Sequence, residues 1–219
     1  MADTLSEREN IEMILLTCAR AEENGTFLTA ETLAREWSAT TTAHLQALAA
    51  QSLITLTGTG TVILTPEGRA RARDLLRRHR LVERHATDVL GLDWSHAHEH
   101  ADHLEHRVSA EEVDALATQL GDPATCPHGN PIPSTSQTPN ESLISLAQCA
   151  ERTRGIITRI SVETRDALRH LATLGLLPNV SIEVEQQAPL GGPVLVRVGR
   201  SHYALGRDLA ARIWIKKEE

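Results

Sequence analysis

The stretch TTTAHLQALAAQSLITLTGTGTVILTPEG, residues 40–68, decides how the first third of the chain folds. Leu45, Leu48 and Ala49 recur at helical spacing, so residues 41–52 are expected to form a helix with these side chains turned inward. The run LITLTGTGTVILT (53–65) is rich in β-branched residues on either side of Gly-Thr-Gly, which reads as two short strands and a turn. Pro66 suits the first turn of a long helix running to about Leu90, because the N–H it lacks has no partner there in any case. Toward the N-terminus, residues 7–23 are good helix formers, with Ile11, Ile14, Leu15 and Cys18 at helical spacing, and NGTF (24–27) interrupts them. Thr29 can cap a second helix, AETLAREW (30–37), in which Leu33 and Trp37 share a face.

Three helices followed by a β-hairpin is the order of a winged helix-turn-helix, which lays its recognition helix in the major groove of DNA. With Leu45 and Leu48 inward, Thr40, Thr41, Thr42 and His44 are expected on the outer face. Hydroxyls there suit phosphate oxygens and base edges, and Thr methyls suit thymine methyls. No arginine stands at these positions to read guanine, so shape and phosphate contacts are expected to dominate.

The chain has 219 residues and is 41% hydrophobic but only 2% aromatic, so its core must be built mainly of Leu, Val, Ile and Ala. No apolar run approaches the ~18 residues of a membrane span. The opening MADTLSEREN is unlike a secretory signal, and the cytoplasm is the expected compartment. Cys18, Cys126 and Cys149 are odd in number and form no C-x-x-C, which suggests neither a disulfide framework nor a thiolate zinc site. A formal net charge of −7 argues against binding nucleic acid through bulk charge. The charge is segregated, however. Residues 69–80 hold six arginines and one acid, whereas residues 93–114 hold seven acids and one base.

Gly91 is expected to end the long helix. A further helix follows over about 94–107, and Ser109 with Glu112 makes a capping box for the next, which Gly121-Asp122-Pro123 stops. Residues 123–142 contain five prolines and read as an extended connector. Beyond them, GIITRIS, VSIEVEQQA and PVLVRVG have strand texture, with DALRHLATLGLL as a short helix between strands, and together they suggest a small β-barrel. The fold class is therefore α+β.

The acidic segment HAHEHADHLEH (96–106) carries five of the 11 histidines. Residues three and four apart share a helix face, which makes Asp102, Glu105 and His106 neighbours and pairs His79 with Glu83 on the preceding helix. Imidazole nitrogen and carboxylate oxygen are ligands for borderline and harder divalent metals, and a cation relieves the repulsion between crowded acids. No nucleophile or oxyanion hole is recognisable, so the site reads as structural or regulatory and the protein as a non-enzyme.

The segments TPEGRARARDLLRRHRLVERHATDVLGLD (65–93), HEHADHLEHRVS (98–109) and PHGNPIP (127–133) resemble the diphtheria-toxin-repressor family of metal-dependent regulators, which includes iron-dependent regulators and manganese transport regulators. The resemblance covers nearly the whole chain. It implies a winged helix-turn-helix domain (1–72), a helical dimerisation and metal-binding domain (73–125), a Pro-rich tether (126–142) and an SH3-like, FeoA-like domain (143–219). It also implies one metal site at His79, Glu83 and His98, completed by Glu163 and Asp166 of SVETRDAL. A second would use Asp102, Glu105, His106 and Met13 of EMILLTCARAEENG, with Glu12 or Asn10 as alternatives in another register.

In this resemblance a carboxylate at 102 stands where iron-type members have cysteine. That favours Mn²⁺, whereas a Met13 thioether favours Fe²⁺. Zn²⁺ or Cd²⁺ are expected substitutes in vitro, and His100 and His103 are either spectators or added capacity for those ions. The implied function is repression of metal-uptake genes by a homodimer on a palindromic DNA operator. The apolar stripe of Val113, Leu116 and Leu120, with Trp94 and the later half of the long helix, is the expected dimer surface, unless it packs only within one subunit. A metal-buffering protein with a vestigial DNA-binding domain is the rival reading.

Overall fold

The computed structural model describes residues 6–36, 41–133, 142–162 and 164–218. Trp37, Thr40 and Glu163 lie outside these. The chain divides into two compact units. One runs to Arg78 and includes Glu105–Val108; the other holds His79–Leu104 and the residues from Ser109 onward.

In the first unit, helix α1 (Glu7–Glu23) starts at a capping box in which the Ser6 hydroxyl accepts from the Glu9 N–H and the Glu9 carboxylate accepts from the Ser6 N–H. Helix α2 (Ala30–Glu36) is capped by Thr29, whose Oγ1 accepts from the Thr32 N–H at 3.1 Å, a device worth about 1 kcal/mol. Helix α3 (Thr41–Ala50) leads into strands β1 (Ile54–Leu56) and β2 (Val62–Leu64), paired antiparallel with Ile54 opposite Leu64. Helix α4 (Pro66–Asp88) follows, with proline at its first position as the sequence predicts. Its start is tied to the hairpin by the Thr65 hydroxyl, which donates to the Ser52 carbonyl at 2.7 Å. The core joins Ile14, Leu15, Leu16 and Cys18 of α1 to Leu33, Leu45, Leu48, the hairpin residues Ile54, Val62 and Leu64, and Leu75 of α4. The helix order, the hairpin and the packing are those of a winged helix-turn-helix.

The second unit takes the later half of α4, which ends before Gly91 at φ 67°. Helix α5 spans only Ala97–Leu104, shorter than the sequence suggests. The Asp93 carboxylate accepts from the Ser95 N–H and hydroxyl, which holds residues 93–95 in a turn rather than a helix. Helix α6 (Ala110–Gln119) begins at the expected Ser109/Glu112 capping box.

A six-stranded antiparallel sheet then forms from β3 (Ile144–Ser145), β4 (Arg154–Ile160), β5 (Ser181–Gln187), β6 (Val194–Val198), β7 (Ser201–Leu205) and β8 (Ile213–Lys217), in the order β3-β8-β4-β5-β6-β7. Helices α7 (Arg165–Thr173) and α8 (Arg207–Ala210) accompany it. Ile157, Ile160, Leu168, Leu171, Val184, Val196 and Ile215 fill its core.

The first part of the proline-rich segment is not extended. Cys126 and Asn130 close a turn through Cys126 N–H to Asn130 O at 2.9 Å, with Gly129 at φ 81°. The turn is fastened to β4: the Ile160 N–H donates to the His128 carbonyl at 2.8 Å, and the Asn130 amide donates to the Ile160 carbonyl at 3.1 Å. A Cβ at residue 129 would lie 1.9 Å from the Thr158 carbonyl oxygen, so only glycine allows this approach.

Candidate metal centres

The long helix α4 sets His79 and Glu83 one turn apart, and α5 brings in His98. His79 Nε2 lies 3.0 Å from Glu83 Oε1 and 2.9 Å from His98 Nδ1, and His98 Nδ1 lies 3.0 Å from Glu83 Oε1. All three residues are buried. The spacing pair and the family-implied histidine therefore converge on one point. Asp102 reaches the same cluster, with its carboxylate 3.5 Å from His79 Nδ1 and 3.5 Å from His98 Nε2. The helix-face argument had set Asp102 beside Glu105 and His106, but a carboxylate on α5 one turn beyond His98 also meets that imidazole.

Two residues that sequence reasoning missed complete the surroundings of Glu83. His128 Nδ1 stands 3.3 Å from Glu83 Oε1 and 3.9 Å from the Cys126 sulfur. The other ring nitrogen of His128 donates to the Trp94 carbonyl at 3.1 Å. Burial alone would push the Glu83 carboxyl up, but the His79 and His128 charges beside it hold it well below the usual carboxylate range. Burial works against a charged His128, yet the Glu83 carboxylate raises its imidazole well above the ordinary value. Trp94 is thereby engaged inside the chain. Its indole N–H donates to the Pro127 carbonyl at 3.0 Å, and its ring lies 4.8 Å from that of His128.

The first unit carries a second group. His106 Nδ1 donates to Glu12 Oε2 at 2.8 Å, and His106 Nε2 lies 3.4 Å from Glu105 Oε1. Glu12, Glu105 and His106 are buried at 2%, 0% and 3% side-chain or residue exposure. Arg8 donates to Glu12 Oε1 at 2.9 Å, and Arg71 stands 3.7 Å away. Of the first-helix candidates, Glu12 is the one beside His106. Met13, next along the helix, packs its side chain against the apolar core, and Asn10 bonds back to the Ser6 carbonyl.

Burial would raise the Glu12 carboxyl, but its bonds to His106 and Arg8 bring it down to about 2. Burial lowers His106, and the opposing Glu12 and Glu105 carboxylates more than reverse this, so its imidazole titrates above 6.5.

Both groups suit a divalent cation. In the Glu83 group, His79, Glu83 and His98, and likewise Glu83, Cys126 and His128, bring donor atoms within 4.8 Å of one another; in the other group the donors are carboxylate oxygen and imidazole nitrogen, and His106 Nε2 is buried without a hydrogen-bond partner among the described residues. Because His106 must shed its Nε2 proton to present a lone pair, affinity there is expected to fall about tenfold per pH unit below its raised folded-state value and to level off above it. Mn²⁺ titrations over about pH 6 to 9 check this, and a flat profile would remove His106 from the site. Without metal the linkage runs differently. The stability contributed by His106 is present below 6.5 and lost as pH rises through the folded value. That of Glu12 is present above 4.5 and lost as pH falls through about 2.

The remaining expected residues are scattered. Asp166 is exposed and paired with Arg169 at 3.0 Å. On α3, Thr42 is exposed and His44 half-buried, but Thr41 is 1% exposed. Thr41 stands four and seven residues before Leu45 and Leu48, which puts it on their inward face. The outer row is instead Thr42, Ala43, Gln46, Ala49 and Ala50.

Fold and sites together define a winged helix-turn-helix protein with internal metal-ligating clusters and a C-terminal antiparallel sheet domain. Residues 65–134 match the family described as iron dependent repressor, metal binding and dimerisation domain, and residues 144–217 match the FeoA domain. The iron-dependent repressor IdeR of Mycobacterium tuberculosis is 29% identical over 225 residues, 95% of this chain and 97% of that protein. The diphtheria toxin repressor of Corynebacterium diphtheriae is 36% identical over 132 residues, 59% of this chain and 58% of that one. A solved manganese-dependent transcriptional repressor is 31% identical, with a TM-score of 0.70, over 85% of this chain and 95% of that one. The chain belongs to the iron-dependent repressor, or diphtheria toxin repressor, family. Among its described residues no helix is long and apolar enough to cross a membrane.

Proposed function

We propose that this protein is a homodimeric, metal-dependent transcriptional repressor that binds a palindromic DNA operator and controls metal-uptake genes, with Mn²⁺ as the activating ion and Fe²⁺ as the alternative. The observation that carries this reading is the buried convergence of His79, Glu83 and His98 at 2.9–3.0 Å in a chain of this family. A bound divalent cation supplies the positive charge that lets such groups stay close when the imidazoles are neutral.

The chain's own residues do the rest. Glu12 keeps the His106 proton on Nδ1 and leaves Nε2 toward Glu105, and this links α1 to the 105–108 segment within the DNA-binding unit. Fixing α1 fixes α3 through their shared core. In a dimer, two such helices must stand about 34 Å apart to enter successive major grooves, so ordering the unit selects the competent spacing from a looser ensemble.

Two carboxylates and one imidazole at Glu12, Glu105 and His106 make an oxygen-rich set, which supports Mn²⁺. The exposed Thr42, Gln46 and half-buried His44, together with Thr40, are the groups assigned to DNA. The dimer reading is supported by the apolar cluster of Val89, Leu90 and Leu92, exposed by 48%, 51% and 37%, at the end of α4.

The test is a titration of a palindromic duplex at fixed salt with Mn²⁺, with anaerobic Fe²⁺ and with chelator. Metal is expected to tighten binding at least tenfold, a coupling of about 1.4 kcal/mol or more, with Mn²⁺ the stronger activator. Equal affinity for stripped and loaded protein rejects the reading, and tight metal uptake without any effect on DNA favours a buffering role.

A further inference from the structure

We propose that His96 and His100 form a further ion site, on the outer face of α5, for a borderline divalent cation of the Zn²⁺ class. The site is separate from the buried groups and does not rest on the regulatory reading above.

Helix α5 is two-sided. Ala97, His98 and Ala101 are its buried residues, and His98 and Asp102 turn toward the Glu83 group. At about 100° per residue, His96, Glu99, His100 and His103 fall within an arc of roughly 100° on the other side. There Glu99 and His103 are exposed, and His96 and His100 are half-buried. His96 and His100 differ by only about 40° and stand one turn apart. That turn is closed, because the His100 N–H donates to the His96 carbonyl at 3.1 Å. Two imidazoles four residues apart on one helix face hold a single zinc ion in the H-E-x-x-H arrangement, and His96 and His100 have the same interval.

The ring nitrogens are available. Neither the His100 nor the His103 imidazole makes a hydrogen bond or ion pair among the described residues. His96 Nδ1 lies 3.6 Å from Asp93 Oδ1, and that carboxylate is itself fixed by the Ser95 N–H at 2.9 Å. A carboxylate beside one ring nitrogen directs the other outward as a ligand. Glu99, the acid of this face, stands 3.5 Å from Arg165 and is matched by its charge. The donors left over are nitrogen, which suits Zn²⁺, Ni²⁺ or Cu²⁺ more than Mn²⁺. Solvent completes the coordination, so this site fills after the buried groups. The clamp spans His98, so an ion across it also holds the turn that directs His98 inward.

The test is equilibrium dialysis of the full-length protein against Zn²⁺, with thermal denaturation in the same solutions. Wild type is expected to bind one more zinc ion per chain than the H96Q/H100Q double variant, and to gain more in melting temperature from the same excess of zinc. H103Q and H170Q, the latter at an exposed histidine of α7, are expected to keep the additional ion. Should the double variant not fold, H96Q and H100Q singly each remove half of the clamp and are expected to show the same loss. Equal zinc counts in wild type and the double variant, or loss of the ion in H103Q with retention in H96Q and H100Q, overturn the site. A zinc ion that depends on His96 and His100, with no uptake at the buried groups, upholds the site and rejects the regulatory reading instead.

Discussion

Glu12→Gln is expected to weaken Mn²⁺ binding at the His106 centre by about 10–100-fold, the usual cost of losing the carboxylate that orients a ligating histidine. Glutamine keeps the shape but no longer holds a proton on His106 Nδ1 by charge, so the ring loses its preference for presenting Nε2 to Glu105. The change also leaves Arg8 and Arg71 without their shared carboxylate. Both are substantially exposed, at 69% and 39%, so solvent absorbs most of that loss. His106 is buried, and an unsatisfied buried donor costs about 1–3 kcal/mol. A domain-sized chain of this length then melts lower by about 2–4 °C per kcal/mol.

Met13→Leu is the matched control. It conserves volume against the core and is expected to cost less than about 1.5 kcal/mol with no change in metal affinity. Competition titrations against a metallochromic chelator measure both variants. Normal Mn²⁺ affinity in E12Q with a loss in M13L would reverse the assignment of the first-helix group.

The contrast between these neighbours shows what the sequence allows. Glu12 stands three, four and seven residues before Leu15, Leu16 and Ala19, all buried, so an acid lies in the apolar stripe of α1. That pattern is readable in the letters and singles out Glu12, whereas alignment to a family helix points to Met13. Thr41 shows the same logic, because its spacing to Leu45 and Leu48 sets it inward despite its polar side chain. Strong periodicity and turn chemistry made the three helices, the hairpin, Pro66 and the Ser109 capping box legible, since these are local effects of a few residues.

The Cys126–His128 pair was not legible in that way. Its prolines and glycine read as connector, and only backbone bonds to β4, far along the chain, turn the segment into a fixed loop. The short interval Cys-x-His was the available signal, and by itself it is common. His79 and Glu83 were visible as a helical pair, but their meeting with Asp102 depends on how α5 packs against α4, which no local pattern encodes. On α3, Thr42 faces outward while Thr41 is buried, and Gln46 is the one amide in the outer row.

Glu83→Ala is expected to give the largest loss of stability in the metal-free protein, about 3–5 kcal/mol, because it removes the buried counter-charge shared by His79, His98 and His128. Glu83→Gln separates charge from volume, since the amide fills the space and accepts hydrogen bonds without the negative charge. Its effect should depend on pH in a definite direction. The depressed Glu83 carboxyl contributes stability above its unfolded value of 4.5, lost as pH falls through the folded value. The raised His128 imidazole contributes stability below 6.5, lost as pH rises through its folded value. The pair is therefore worth most between about 4.5 and 6.5, and the gap between wild type and E83Q should narrow as the solution is made alkaline. Metal reverses that trend for wild type alone, because a ligand that binds only the folded form adds stability in proportion to the logarithm of its concentration. Thermal denaturation of both proteins, with chelator and with Zn²⁺, across this range checks the argument. A constant gap with chelator, or equal stabilisation of E83Q by Zn²⁺, would show that Glu83 neither balances the imidazoles nor binds the ion.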